Sequence, residues 1–139
     1  MNDVVLNKLQ SIQRCVARAR EEYGQSAKDF VTDYTRQDAA VLNVLRACEQ
    51  TIDLANHVVK LYKLGSPSAT AESFTLLVRA GVISEALAVR LTKMIRFRNV
   101  VVHAYQQADI EVVQGVIQQG LDDLLECGEA IRRFADAQE

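Results

Sequence analysis

VLNVLRACEQTIDLANHVVKLYKLGSP, residues 41–67, decides what kind of chain this is. Val41, Leu45, Cys48, Ile52, Ala55, Val59 and Tyr62 step forward by four and three residues in alternation, the spacing that lines up side chains along one face of an α-helix. A half-buried strand would alternate every second residue, which this stretch does not do. Gly65, Ser66 and Pro67 then stop the pattern, because proline lacks the N–H that a helix needs and glycine accepts the backbone turn that follows one. The spacing predicts a helix over about residues 38–64, the longest in the chain.

The same spacing recurs on both sides. Val5, Leu9, Ile12, Val16, Ala19 and Tyr23 mark a first helix over about residues 2–23, ending at Gly24. Residues 24–37 show no clear period, although Phe30, Val31 and Tyr34 offer aromatic and apolar groups for a short turn. A short helix over about 70–80 stops at Gly81, and Ser84 is placed to cap a further helix reaching about Val102. Asp109 is placed to cap the last, over about 110–136, with Val113, Ile117, Leu121, Leu124, Gly128 and Ile131 on one side. Proline occurs once, and strand-like alternation is absent. The expected fold class is all-α: an up-and-down bundle of four main helices plus one short helix, spanning residues 1–139 as one domain.

Composition narrows the class of function. At 139 residues the chain is long enough to bury a core, and 49% of it is hydrophobic. Charges interrupt every long apolar run, so no stretch approaches the roughly 20 residues of a membrane span. MNDVVLNKLQ lacks the basic start and apolar run of a signal peptide, and Cys15, Cys48 and Cys127 are an odd, scattered set inside helical patterns. The expectation is a cytoplasmic protein with core thiols and no bound metal or cofactor. Tyr23, Tyr34 and Tyr62 read as packing residues, and His57 as a helix-surface or core-bonded histidine.

RFRNVVVHAY, residues 96–105, breaks the sorting of charge seen elsewhere. At 100° per residue, Leu87, Leu91, Met94, Val101 and Val102 form the core-facing arc, with Arg98 in its middle. An unpaired buried guanidinium is costly, so Arg98 must snorkel outward or meet a carboxylate, for which Glu49 and Asp53 are the candidates. Asn99 and His103 lie four apart on one flank, within reach of the arginine. Two readings of this cluster stay open on spacing alone. In one, Arg98 makes a structural ion pair and His103 merely ends the helix, where a partly charged imidazole suits the dipole. In the other, the imidazole moves a proton near neutral pH while the guanidinium stabilises a phosphorane, which is the demand of metal-free RNA cleavage.

The run R-N-x-x-x-H-x-Y, carried by Arg98, Asn99, His103 and Tyr105, resembles the signature of the HEPN superfamily of helical ribonucleases and, more narrowly, that of the HepT toxins. Glu49, Asp53, Leu54, Ala55, Asn56 and His57, in the string EQTIDLANH, are similar to that family's second long helix with its paired acidic positions; the likeness runs from about residue 3 to 133. The resemblance implies a toxin of a type VII-like toxin–antitoxin pair. It implies a metal-independent endoribonuclease, working as a homodimer and yielding a 2′,3′-cyclic phosphate, whose partner is a minimal nucleotidyltransferase antitoxin of the MntA type. It implies catalytic roles for Arg98 and His103, supporting roles for Asn99, Glu49 and Asp53, and adenylylation of Tyr105 as the neutralising step. A bulky adenylate beside the histidine would block the cleft and repel an RNA backbone. The alternative is a non-catalytic helical dimer that binds a nucleotidyltransferase or a nucleotide.

Charge gives a separate indication. The net charge of −2 argues against a general nucleic-acid binder, and neither DNA nor membrane is an expected partner. Yet residues 79–103 hold Arg79, Arg90, Lys93, Arg96 and Arg98 against Glu85 alone, while residues 109–139 are strongly acidic. A twofold dimer pairing two copies of the fourth helix would gather the basic stretches around one cleft, with Arg96 as a phosphate contact.

Overall fold

The computed structural model describes residues 2–25, 28–69, 71–104 and 110–139, with the side chains of 102–104 outside that description. The expected helices are present: α1 (Asp3–Gln25), α2 (Tyr34–Leu61), α3 (Glu72–Arg79) and α4 (Glu85–Ala104). The last expected helix runs as α5 (Ile110–Gly115), a π-helical turn (Val116–Gly120) and α6 (Leu121–Ala137), with helical backbone angles at both junctions. No strand occurs among the described residues. The all-α expectation is therefore met.

Pairs of contacts set the helix directions. Arg36 meets Glu22 at 2.5 Å and Lys8 meets Asp53 at 3.8 Å, so α2 runs back along α1. Arg20 meets Asp122 at 2.5 Å while Gln118 donates to the Tyr23 hydroxyl at 2.9 Å, which sets α6 antiparallel to α1. Arg90 reaches Asp123 at 2.9 Å and Met94 lies against Gly120, so α4 also opposes α6. The result is the up-and-down arrangement, with α3 laid across the turn between α2 and α4.

The stripes read from the sequence form the core. Val5, Leu9, Ile12, Val16 and Ala19 of α1 are buried, and so are Leu87, Leu91, Met94, Ile95 and Val101 of α4. Val102, expected among them, has its side chain outside the described residues. In α2 the burial is wider than the stripe, adding Ala40, Val44, Ala47, Leu54 and Val58, because this helix is packed on several sides.

Local details explain the breaks. Residues 28–33 show no period because they are held by one amide: Gln37 donates to the carbonyls of Phe30 at 2.6 Å and Val31 at 2.8 Å. Phe30 is fully buried, with its ring edge-on to Tyr23. Asp33 then caps α2 by accepting from the Arg36 amide at 3.1 Å, which starts that helix four residues before the periodic stretch. Ser84 caps α4 as expected, accepting from the Leu87 amide at 3.1 Å; Asp109 lies outside the described residues. Helix α1 continues through Gly24 to Gln25. No helix among the described residues is long and apolar enough to cross a membrane.

Candidate functional site

Arg98 sits where the helical wheel put it, on the inner arc of α4 between Met94 and Val101, and its side chain is 18% exposed. Its charge is met from α2: Nη1 donates to Glu49 Oε1 at 2.5 Å. Nε and Nη2 both donate to the side-chain oxygen of Asn99, at 3.1 and 2.8 Å. A guanidinium has five N–H groups. These three bonds therefore leave one hydrogen on Nη1 and one on Nη2 without a partner among the described residues. A fork held on two sides with two N–H groups to spare is a preorganised receptor for phosphate oxygens.

Cys48, next to Glu49 in the sequence, is buried and feels both charges of the pair. Burial pushes its thiol up to about 12; the nearby Arg98 charge pulls the other way and Glu49 adds to the rise. The thiol is therefore neutral at cellular pH and is no nucleophile. Cys127 is held up to about 12 by burial as well. Cys15 is half-buried and, like the other two, free of disulfides.

The other expected site residues divide clearly. The structure brings Glu49 and Asn99 to Arg98 but not Asp53, which turns towards α1 and faces Lys8 at 3.8 Å. Arg96 is exposed on the outer face of α4 and has no ion-pair partner among the described residues. His103 belongs to the last turn of α4, but its side chain lies outside the described residues, as does all of Tyr105. The acidic last helix takes up part of the basic charge of α4. Asp123 and Glu126 take up Arg90, at 2.9 and 3.3 Å, leaving Arg79, Lys93 and Arg96 as the unpaired cations of that stretch among the described residues.

His57 is half-buried, and its Nε2 is sealed from solvent with no hydrogen-bond partner among the described residues, so it is not held in the core through that nitrogen. Among the described residues, no three His, Cys, Asp or Glu groups gather at metal-binding distance. Reading the sequence did not single out Val89 and Val100. Both are more than half exposed on the outer side of α4, in register with Lys93 and Arg96. Their four-and-three spacing, 89, 93, 96 and 100, was the available signal of a second face on that helix.

Comparison with known proteins matches the family described as Ribonuclease HepT-like over residues 12–131. The chain is 41% identical over 123 residues to the mRNA nuclease HepT of Shewanella oneidensis, covering 88% of this chain and 92% of that protein. It superposes on the tri-AMPylated Shewanella oneidensis HEPN toxin, solved in complex with its MNT antitoxin, with a TM-score of 0.88 and 38% identity; the match covers 96% of this chain and 99% of that one. It also resembles YutE, a cytosolic protein of unknown function from Bacillus subtilis, with a TM-score of 0.81 over 96% of this chain and 90% of that one. At 19% identity, that likeness speaks to fold alone.

Proposed function

The chain belongs to the HepT-like ribonuclease family, and from that premise we propose that it is the RNA-cleaving toxin of a cytoplasmic toxin–antitoxin pair, acting as one domain. The observation that carries this reading is the held guanidinium: Arg98, fixed by Glu49 and Asn99, has two N–H groups without a partner among the described residues, five residues before His103 on the same helix.

The chemistry follows from those groups. The His103 imidazole takes the proton of a ribose 2′-hydroxyl, and the freed oxygen attacks the adjacent phosphorus. The spare N–H groups of Arg98 meet the charge growing on the non-bridging oxygens. The bond to the 5′ oxygen breaks, that oxygen takes a proton from water, and a 2′,3′-cyclic phosphate remains. Glu49 positions the guanidinium and keeps its charge compensated when no substrate is bound. Asn99 sets the plane of the fork, and Asp53 supports the site at one remove by holding Lys8 over the same face of α2. Arg96, exposed one turn before Asn99 and Val100, contacts a flanking phosphate.

The outer face of α4 supports a homodimer. Lys93 and Arg96 lie between Val89 and Val100 on that face, and two copies packed there in twofold symmetry would cover the valines and bring the basic residues of both α4 helices together. A MntA-type nucleotidyltransferase is the antitoxin partner. It neutralises the toxin by adenylylating Tyr105, two residues past His103. His103→Ala tests the reading: the variant should stay folded and dimeric while losing RNA cleavage and growth inhibition in the presence of a chelator. Undiminished cleavage by that variant, or cleavage that needs added magnesium, contradicts it. The second reading, a non-catalytic dimer, is favoured by the same Arg98–Glu49 pair, since a structural ion pair needs nothing more. It requires that His103→Ala change neither cleavage nor growth.

A further inference from the structure

A cleft of about 540 Å³ opens at the far end of α2, and the charged side chains in its described lining are both basic. Lys60 and Lys63 line it, and neither has an ion-pair partner among the described residues. Asn56 lines it too, but its side-chain oxygen is taken by the buried Ser73 hydroxyl, so its NH₂ group is what it has left to offer. The backbone adds to this. The amides of Lys63 and Leu64 are spent on the carbonyls of Lys60 and Val59, and that of Ser68 on the Glu72 carboxylate. Those of Gly65 and Ser66, both in the lining, have no acceptor among the described residues. Among the described residues, no carboxylate lines the cleft. Two ammonium groups beside consecutive free amides select an anion.

Lys63 sharpens the point. It adopts φ +56°, the left-handed conformation that helix ends normally give to glycine or asparagine and that other L-residues adopt only under strain. A cation thus occupies a strained position in the lining of the cleft. Strain of this kind is a pointer to function.

Placement identifies the ligand. Glu49, Asn56 and Lys60 are seven and four residues apart, so they fall on one line of α2, and Lys60 lies about 16 Å along the helix from Glu49. The Arg98 fork and the cleft therefore share a face, with Lys8 set opposite Asp53 between them. We infer that the cleft is a distal phosphate site, which holds the backbone of an RNA strand a few nucleotides from the phosphate cleaved at Arg98. This rests on the nuclease reading above. The competing role for Lys60 and Lys63 is to offset the negative end of the α2 dipole, which requires no ligand.

The test is binding of labelled single-stranded RNA of increasing length to the full chain carrying His103→Ala, with and without Lys60→Gln and Lys63→Gly. Lys63→Gly relieves the left-handed backbone, so the added pair should not lower the melting temperature. Without the pair, affinity should rise with length until the strand reaches the cleft. With it, that rise should disappear, trinucleotide affinity should stay the same, and the slope of log affinity against log salt should become shallower by about 0.7 for each phosphate that is no longer neutralised. An identical length dependence in both proteins overturns the distal site. So does binding of inorganic phosphate or AMP at Lys60, seen by NMR, without any effect on RNA, because the ligand is then a small phosphate. The nuclease reading fails separately, and visibly, if the unsubstituted chain neither binds nor cuts RNA of any length.

Discussion

Arg98 is a charge placed on the buried arc of a helix, and the way it is compensated decides what it can do. Were all five N–H groups bonded within the protein, it would be a structural clamp; among the described residues three find a partner and two do not. Arg98→Lys keeps the charge but removes the fork, so cleavage should fall by about a hundredfold or more with little change in the melting curve, measured on a defined RNA. Glu49→Gln should be milder. It releases the guanidinium from one side, and because the Glu49 side chain is 47% exposed, the stability lost should be no more than about 1 kcal/mol in a denaturant titration. The thiols make a pH prediction. Burial raises Cys48 and Cys127 from 9.0 to about 12, so the folded chain retains protons that the unfolded chain releases. Their contribution to stability is complete below pH 9 and is lost as pH climbs towards 12. Stability measured across that window should decline more steeply than in a chain carrying Cys48→Ala and Cys127→Ala.

At the scale of elements, glycines separate helix interiors from turns. Gly115 is helical with open space where a side chain would sit, so Gly115→Ala should stabilise by about 1 kcal/mol through helix propensity. Gly65 is the opposite case. Its φ of +142° is hostile to a side chain, and a Cβ there would come within 2.7 Å of Leu76 Cδ2, so Gly65→Ala should cost about 2 kcal/mol or more by thermal denaturation. The contrast reflects different duties: Gly65 lets the loop after α2 pass against α3, whereas Gly115 only precedes the π-helical turn. That turn is an element the sequence did not disclose. Its extra residue is absorbed without disturbing the inward stripe, since Val113 before it, Ile117 within it and Leu121 after it are all buried.

Over the whole molecule, the two faces of α4 join the fold to the proposed homodimer. One face supplies the core through Leu87, Leu91 and Met94, and the other presents Val89 and Val100 to solvent. Val100→Asp should leave a folded chain that sediments as a monomer in analytical ultracentrifugation and cuts RNA poorly; a fully active monomer would show that the cleft needs only one copy. Helix existence, order and inward faces were all legible in the sequence, and so was the pairing of Arg98 with an acid from the second long helix. The choice of Glu49 over Asp53 was not, because the two stand only about 40° apart around α2 and the rotation of that helix against α1 and α4 selects between them. Nor were the capture of Arg90 by Asp123 and Glu126, the ordering of residues 28–33 by Gln37, or the convergence of Lys60, Lys63 and the free amides in one cleft. The division has a physical cause. The 3.6-residue period is written into neighbours along the chain and survives any packing, so the sequence by itself determined the helices and their apolar faces. How far each helix turns and slides against the others is settled by the joint packing of the core, and only that tertiary arrangement decided which charges meet and which are left free to bind.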